Sequence, residues 1–522
     1  MYKRFFALFV LIFNLLSFCS ISASDTIFIK SPIFHSDLEK QCFEEKDYFG
    51  LALSLDSTLN SFKKDSIRQI FDNYVKSIEP AVTKAKGEKK KIYTLFKSSS
   101  FRFLNKYAEE VFLNDLYFSG TFNCLTGSLH HAFLLQQLNI PFVIKEATTH
   151  VYLLAFPTTV SVPLESTDPS MIYLAPDENF KKKYVDFLLK TKIITNAEFD
   201  SDGFEKIFSS HYYTNGNINI RELIGLQYYN SGVMLINKGR LKDAIIQLEK
   251  GYILYPSDRI RYLMIAAMQD YCRENDMTQS DDWKYLVNMV DYSRNSESDE
   301  LYRYRFGKLT ATFAINQNNL KKYQEYFEFV SKNLKDTLIL KETALIFHSQ
   351  MARRLAIEGY YNTAWAHVSE SYRINPNNMD IIDQVVFIYN KKMFVDYNDK
   401  DYLDSITAPL LTTPSLVKHT NFMCTMANRM LALMTKAFAN NDKQTGEKIM
   451  NWFEDLQSHV NLPVTNLSGI ETAYSQASAY YYRLNFKEKS KEVLEKGLSY
   501  LPTNERLLQK YKVVFQTKRT TL

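Results

Sequence analysis

Glycine and proline are scarce in this chain, 15 and 13 among 522 residues, which excludes collagen-like, proline-rich and low-complexity architectures. Charge of one sign is lacking too. The formal net charge of +5 is the small difference between 63 basic and 58 acidic residues spread along the sequence, so nothing in it calls for a nucleic-acid partner. The densest basic run, Lys84 to Lys91 ("KAKGEKKK"), reads as a solvated helix end or loop. Aromatic residues, in contrast, are plentiful. With 35 tyrosines and 37 phenylalanines, the composition points to a helix-rich chain with large packing units. Its length exceeds what one core usually organises, so two domains, or a domain plus a repeat array, are expected.

Long apolar runs are missing except at the start. Lys3 and Arg4 precede an apolar stretch from Phe5 to Leu16, and small residues follow at Ser22, Ala23 and Ser24. This is the layout of a cleaved export signal over residues 1–24. The stretch is too short, and too broken by Asn14 and Ser17, to span a membrane comfortably. A soluble mature chain is expected, exported to a periplasmic or extracellular space, with no membrane span after signal removal. An uncleaved anchor is a weaker alternative, and so is lipid attachment at Cys19, which the bulky Phe18 precedes. Cysteine is also sparse. Of the five, Cys19 falls in the signal, and Cys42, Cys124, Cys272 and Cys424 are too scattered for a disulfide framework. Cys42, Cys272 and Cys424 read as buried free thiols.

From Asp25 to about Gly120 the pattern is helical, with Ile67, Ile70, Phe71, Tyr74 and Ile78 recurring at helical spacing. Leu125 to Leu138 is apolar enough for a helix buried on most sides, stopped by Asn139 to Pro141. Three strand-like segments follow, at Phe142 to Ala147, His150 to Phe156 and Ser161 to Ser166, with connectors short enough for antiparallel neighbours. Helices, one central helix and then a small antiparallel sheet make an α+β domain over residues 25–215.

Beyond about Ile220 strand signals vanish and a repeat emerges. Gly232, Gly239, Ala244, Leu248, Gly251 and Pro256 recur as Ala352, Gly359, Ala364, Val368, Ser371 and Pro376, and again as Ser478, Asn485, Ser490, Leu494, Gly497 and Pro502. Small residues at matched places let two antiparallel helices approach, Gly or Asn supplies the turn, and proline ends the pair. This is the tetratricopeptide outline, about 34 residues per unit. An all-α tetratricopeptide-type superhelix is expected over 220–522, clearest at 225–258, 345–378 and 471–504. Its groove would hold a protein or peptide, and Tyr474, Tyr480, Tyr481 and Tyr482 are candidate groove residues beside the plainer reading that they pack.

Candidate chemistry gathers at Cys124. A cysteine reacts as its thiolate, and a helix start favours negative charge through its free N–H groups and dipole. The same N–H groups can hold the oxyanion of an acyl intermediate. Asn123 and Thr126 are polar neighbours fit either to cap the helix or to help that oxyanion. His130 and His131 lie six and seven residues on, about 9 to 10.5 Å along the axis, too far to serve as the base. His131 reads as core, and His130 as a rim or capping residue. His150 opens a strand and can stand beside the helix start. Glu165, fifteen residues further on and across a hairpin, can orient its imidazole, with Asp168 as the fallback.

These segments, Cys124 before "LTGSLHHAFLLQQLNIPF", His150 in "THVYLLAF" and Glu165 in "VPLESTDP", resemble the transglutaminase-like branch of the papain-like cysteine enzymes. The resemblance covers Phe101 to Pro169 and, with the repeats, is similar to exported proteins of Bacteroidetes-type bacteria. It implies a transglutaminase-like domain and acyl transfer through a Cys124 thioester. Hydrolysis, as in a cysteine protease, cross-linking and deamidation all stay open as outcomes. It implies no cofactor. The sequence holds no phosphate-binding glycine loop, no HExxH, no CxxC and no serine nucleophile elbow, and adjacent histidines on a helix are poor metal geometry, so no metal is expected. The alternative is a catalytically inactive front domain whose repeats bind a protein partner.

Overall fold

The computed structural model describes residues 29, 32–147, 150–166, 182, 185, 199–200, 203–212, 216–293, 295–395, 416 and 418–516. The expected export signal at residues 1–24, Cys19 and Asp168 lie outside these residues. The chain divides into two compact units, Met1–Arg305 and Phe306–Leu522.

The first unit opens with α1 (Asp37–Glu45), α2 (Tyr48–Leu53), α3 (Ser61–Lys84) and α4 (Glu88–Phe103). In α3 the Asn60 side chain caps the start by accepting from the Lys63 N–H, and Ile67, Phe71, Tyr74, Ile78 and Val82 turn one face to the core. A two-residue parallel pair follows, β1 (Lys106–Tyr107) with β2 (Thr121–Phe122), separated by α5 (Leu113–Phe118). Then comes α6 (Cys124–Gln137), buried along nearly its whole length from Leu125 to Leu135.

Against α6 lies a four-stranded antiparallel sheet in the order β5–β4–β3–β6, from β3 (Phe142–Ala147), β4 (His150–Ala155), β5 (Val162–Leu164) and β6 (Asn217–Ile218). Val151, Leu153 and Ala155 are the buried residues of β4, the alternation expected where a sheet buries one face. These sheets are small beside the helices and do not by themselves define a transglutaminase-like α+β domain. What stands is coarser: a mostly helical chain with one buried helix on a small sheet.

After the short α7 (Phe204–Tyr212) come α8 (Ile220–Asn237), α9 (Leu241–Leu254), α10 (Asp258–Glu274), α11 (Trp283–Ser293) and α12 (Ser296–Thr310). The sequence changes from strand to helix near residue 220, yet packing continues through it. Lys250 of α9 reaches Glu39 of α1 at 2.6 Å, both fully buried, and the Tyr228 hydroxyl of α8 donates to the same carboxylate at 2.8 Å. The Tyr255 hydroxyl donates to Glu146 of β3 at 2.6 Å, and Arg259 pairs with Glu146 as well.

The second unit holds α13 (Leu320–Asn333), α14 (Thr337–Ile357), α15 (Tyr361–Ile374), α16 (Met379–Val395), α17 (Thr420–Ala439), α18 (Lys443–Val460), α19 (Ile470–Arg483), α20 (Lys487–Tyr500) and α21 (Glu505–Gln516). The pairs α14/α15, α17/α18 and α19/α20 are packed helical hairpins, as is α8/α9 in the first unit. Their turns use Gly359, Asn441, Asn485 and Gly239, all with positive φ, where glycine and asparagine are tolerated. Small residues close the pairs: the Ser478 and Ser490 hydroxyls meet at 2.8 Å, and a Cβ on Gly497 would come within 2.9 Å of the Tyr474 Cβ.

For the candidate groove tyrosines the plainer reading holds. Tyr474, Tyr480 and Tyr481 are buried and pack the core instead of lining a groove, and only Tyr482 of that set is exposed. The hydroxyls of Tyr474 and Tyr481 find the carboxylates of Glu454 and Glu447, so each ring fills the interior while its polar tip stays satisfied. Among the described residues no helix is long and apolar enough to cross a membrane.

Candidate active site

Asn123 follows β2 with extended backbone and caps α6, so Cys124 is the first residue of the helix. The cap is reciprocal. Asn123 Oδ1 accepts from the Thr126 N–H at 2.9 Å, and Thr126 Oγ1 accepts from the Asn123 N–H at 2.9 Å. Asn123 Nδ2 meanwhile donates to the Glu109 carbonyl at 3.0 Å. Of the two uses the sequence left open for Asn123 and Thr126, capping is therefore the one their polar atoms serve. Because a helix start leaves its first N–H groups without intrahelical partners, those of Cys124 and Leu125 become the natural donors to an oxyanion.

His150 comes to this point from the start of β4. Its Nε2 lies 2.5 Å from Glu165 Oε2, directly after β5, and Cys124 stands close enough to act on the same imidazole. The strand register explains the Glu165 contact: β4 pairs with β5 through Leu153 and Leu164, so the residue after β5 falls beside the first half of β4. Cys124, His150 and Glu165, far apart in sequence, are thus brought together.

Burial alone would pull the His150 imidazolium down. The hydrogen bonds to Cys124 and Glu165 and the charge on both outweigh it, pushing its pKa up to about 10. The site is partly open: the side chains of His150 and Glu165 retain 20% and 25% of their exposure, and Cys124 is half-buried. Cys42, Cys272 and Cys424 are free and buried, and burial raises the Cys42 thiol and pushes that of Cys272 to about 12.

Sequence reasoning missed several neighbours. Tyr107 on β1 packs edge-on against Phe122 at 5.9 Å and stays half exposed. Burial raises its phenol, and negative charge at Cys124, Glu109 and Glu165 adds to that, so it stands beside the candidate site. A two-residue strand carries no periodicity, which is why β1 gave no signal. His130 is no rim residue. It is fully buried, with Nε2 on the Ser99 hydroxyl at 2.8 Å and Nδ1 on the Tyr117 hydroxyl at 3.0 Å. His131 is core, as expected, and meets the Ser166 hydroxyl through Nδ1 at 3.0 Å.

No family model matches the chain, and no curated protein matches it. Among solved structures it is similar to a human IFIT1 dimer with PPP-AAAA, at 10% identity over 92% of this chain and 86% of that one, with a TM-score of 0.18. It is also similar to a structure of Naa15/Naa10 bound to HypK-THB, at 9% identity over 64% of this chain and 62% of that one, with a TM-score of 0.15. This chain therefore spans less than two thirds of the second structure's length. At TM-scores this low, neither likeness bears on the function of the chain.

Proposed function

We propose that the protein is an exported cysteine enzyme of the transglutaminase-like kind, acting by acyl transfer on a protein or peptide amide, with its helical hairpins binding the protein substrate. The observation that carries this reading is an imidazole 2.5 Å from a carboxylate with a helix-start thiol acting on the same ring. In the forward step the Cys124 thiolate attacks the amide carbon and forms a C–S bond. The carbonyl oxygen takes the charge against the N–H groups of Cys124 and Leu125. His150 gives its proton to the departing nitrogen as the C–N bond breaks, while Glu165 keeps the ring oriented. Water or a second amine then attacks the thioester, loses a proton to His150 and releases the thiol.

The second reading is a helical scaffold with an inert front domain, favoured by the prevalence of helical hairpins over sheet in the chain. Incubating the full chain with glutamine-containing peptides, with and without a primary amine, separates the two. The enzyme releases ammonia or leaving amine, and Cys124→Ala and His150→Ala each lower the rate by a factor on the order of 100 or more. Turnover that persists in Cys124→Ala, or no turnover and no covalent adduct at Cys124 with any peptide, contradicts the enzymatic reading.

A further inference from the structure

We propose that His131 is a positioning residue for Glu165, acting through Ser166, and that the face of α6 behind Cys124 sets the geometry of the whole site. The inference rests on the reading of Cys124, His150 and Glu165 as an acyl-transfer site. Cys124, Ser128 and His131 stand at i, i+4 and i+7 along α6, so they share one side of the helix. Each of the two later residues holds the neighbour of a functional side chain. Ser128 Oγ donates to the carbonyl of Val151, directly after His150, at 3.1 Å. His131 Nδ1 meets the hydroxyl of Ser166, directly after Glu165, at 3.0 Å.

Gly127 makes the second contact possible. A Cβ at that position would lie 2.6 Å from the Ser166 Cβ and 2.9 Å from its Oγ, so the turn after β5 rests on the bare backbone of the helix. Ser166 itself is fully buried. One helix thus presents the thiol and fixes both strands that bring the other two groups to it. The titratable groups facing His131 are Glu165 and, with ring centroids 5.5 Å apart, His130. Burial against Phe96 pulls His131 down to about 4 against the opposing charge of Glu165, so it works as a neutral hydrogen-bonding group. Its Nε2 is buried without a partner. Since an orphaned N–H is rarer than an unfilled acceptor, the proton belongs on Nδ1, donating to Ser166.

A purely structural histidine would change the melting temperature and leave the thiol chemistry alone. The test is therefore the iodoacetamide rate of Cys124 in the full chain at pH 6 and pH 9, followed by peptide mass spectrometry. His131→Leu and Ser166→Ala are expected to slow labelling at pH 6 about tenfold and much less at pH 9, where the imidazolium partner matters less. His131→Asn, which keeps a polar atom near the Nδ1 position, restores the rate to within about twofold. In a Glu165→Gln background His131→Leu adds nothing further. Ser166→Ala removes the same hydrogen bond with a small truncation, so the test holds even where His131→Leu does not fold. A fast wild-type Cys124 with unchanged rates in Ser166→Ala and His131→Leu, or effects additive with Glu165→Gln, overturns the inference alone. A wild-type Cys124 that labels no faster than Cys42 overturns the site reading itself.

Discussion

The start of α6 and the hairpin α19/α20 use the same materials, small residues and serine hydroxyls, to opposite ends. In the hairpin, Ser478 and Ser490 bond each other at 2.8 Å and Gly497 sits against Tyr474, so close approach seals the helices together. At α6, Gly127 admits Ser166 and Ser128 holds β4, but the groups gathered by these contacts keep part of their surface. Close packing closes one region and aims side chains in the other. A residue type therefore says little about role until its neighbours are known.

The contrast is most easily broken at the thiols. In the folded chain Cys124 should react with iodoacetamide about 100-fold faster than Cys42, Cys272 or Cys424, because three are buried and one opens a helix beside a charged imidazole. In denaturant the four should converge to within a few-fold. Equal labelling in the folded state would make the α6 start one more sealed packing region.

Next in size is the buried pair between Lys250 and Glu39. Burial raises the Glu39 carboxyl, but His35 and Lys250 outweigh it and hold it down at about 2. Lys250→Met leaves that charge buried without its cation and should lower stability by about 3 to 5 kcal/mol in a denaturant melt. A change under about 1 kcal/mol would mean that water reaches Glu39. Smaller again is Gly497→Ala, expected to cost about 1 to 3 kcal/mol because its new Cβ meets Tyr474 at 2.9 Å. A neutral result would show that the hairpin has slack where the α6 start has none.

Much of this was legible in sequence because it is local. The strand expectations at Phe142 to Ala147, His150 to Phe156 and Ser161 to Ser166 match β3, β4 and β5 to within two residues at each end, since alternation and short connectors need no tertiary knowledge. The turns at Gly239, Gly359 and Asn485 were readable for the same reason: left-handed backbone selects glycine and asparagine. Contacts made at a distance were not. Lys250 meets Glu39 across 211 residues and His130 meets Ser99 across 31, and nothing in either local pattern announces the partner. For the tyrosines of α19 packing was the plainer expectation and their burial bears it out, while the carboxylates of Glu447 and Glu454 that satisfy two of their polar tips gave no local signal.

The protonation of His150 also sets a pH dependence. Its folded pKa of about 10 lies above its ordinary 6.5, so its contribution to stability is fully present below about pH 6.5 and fades as pH rises through 10. The most direct test of the central claim is the ¹⁵N NMR titration of that ring in the full chain. Both ring nitrogens should stay protonated through pH 8 and lose a proton near pH 10, and Cys124→Ala should lower that midpoint. A ring that titrates near 6.5 and ignores Cys124→Ala would contradict the account.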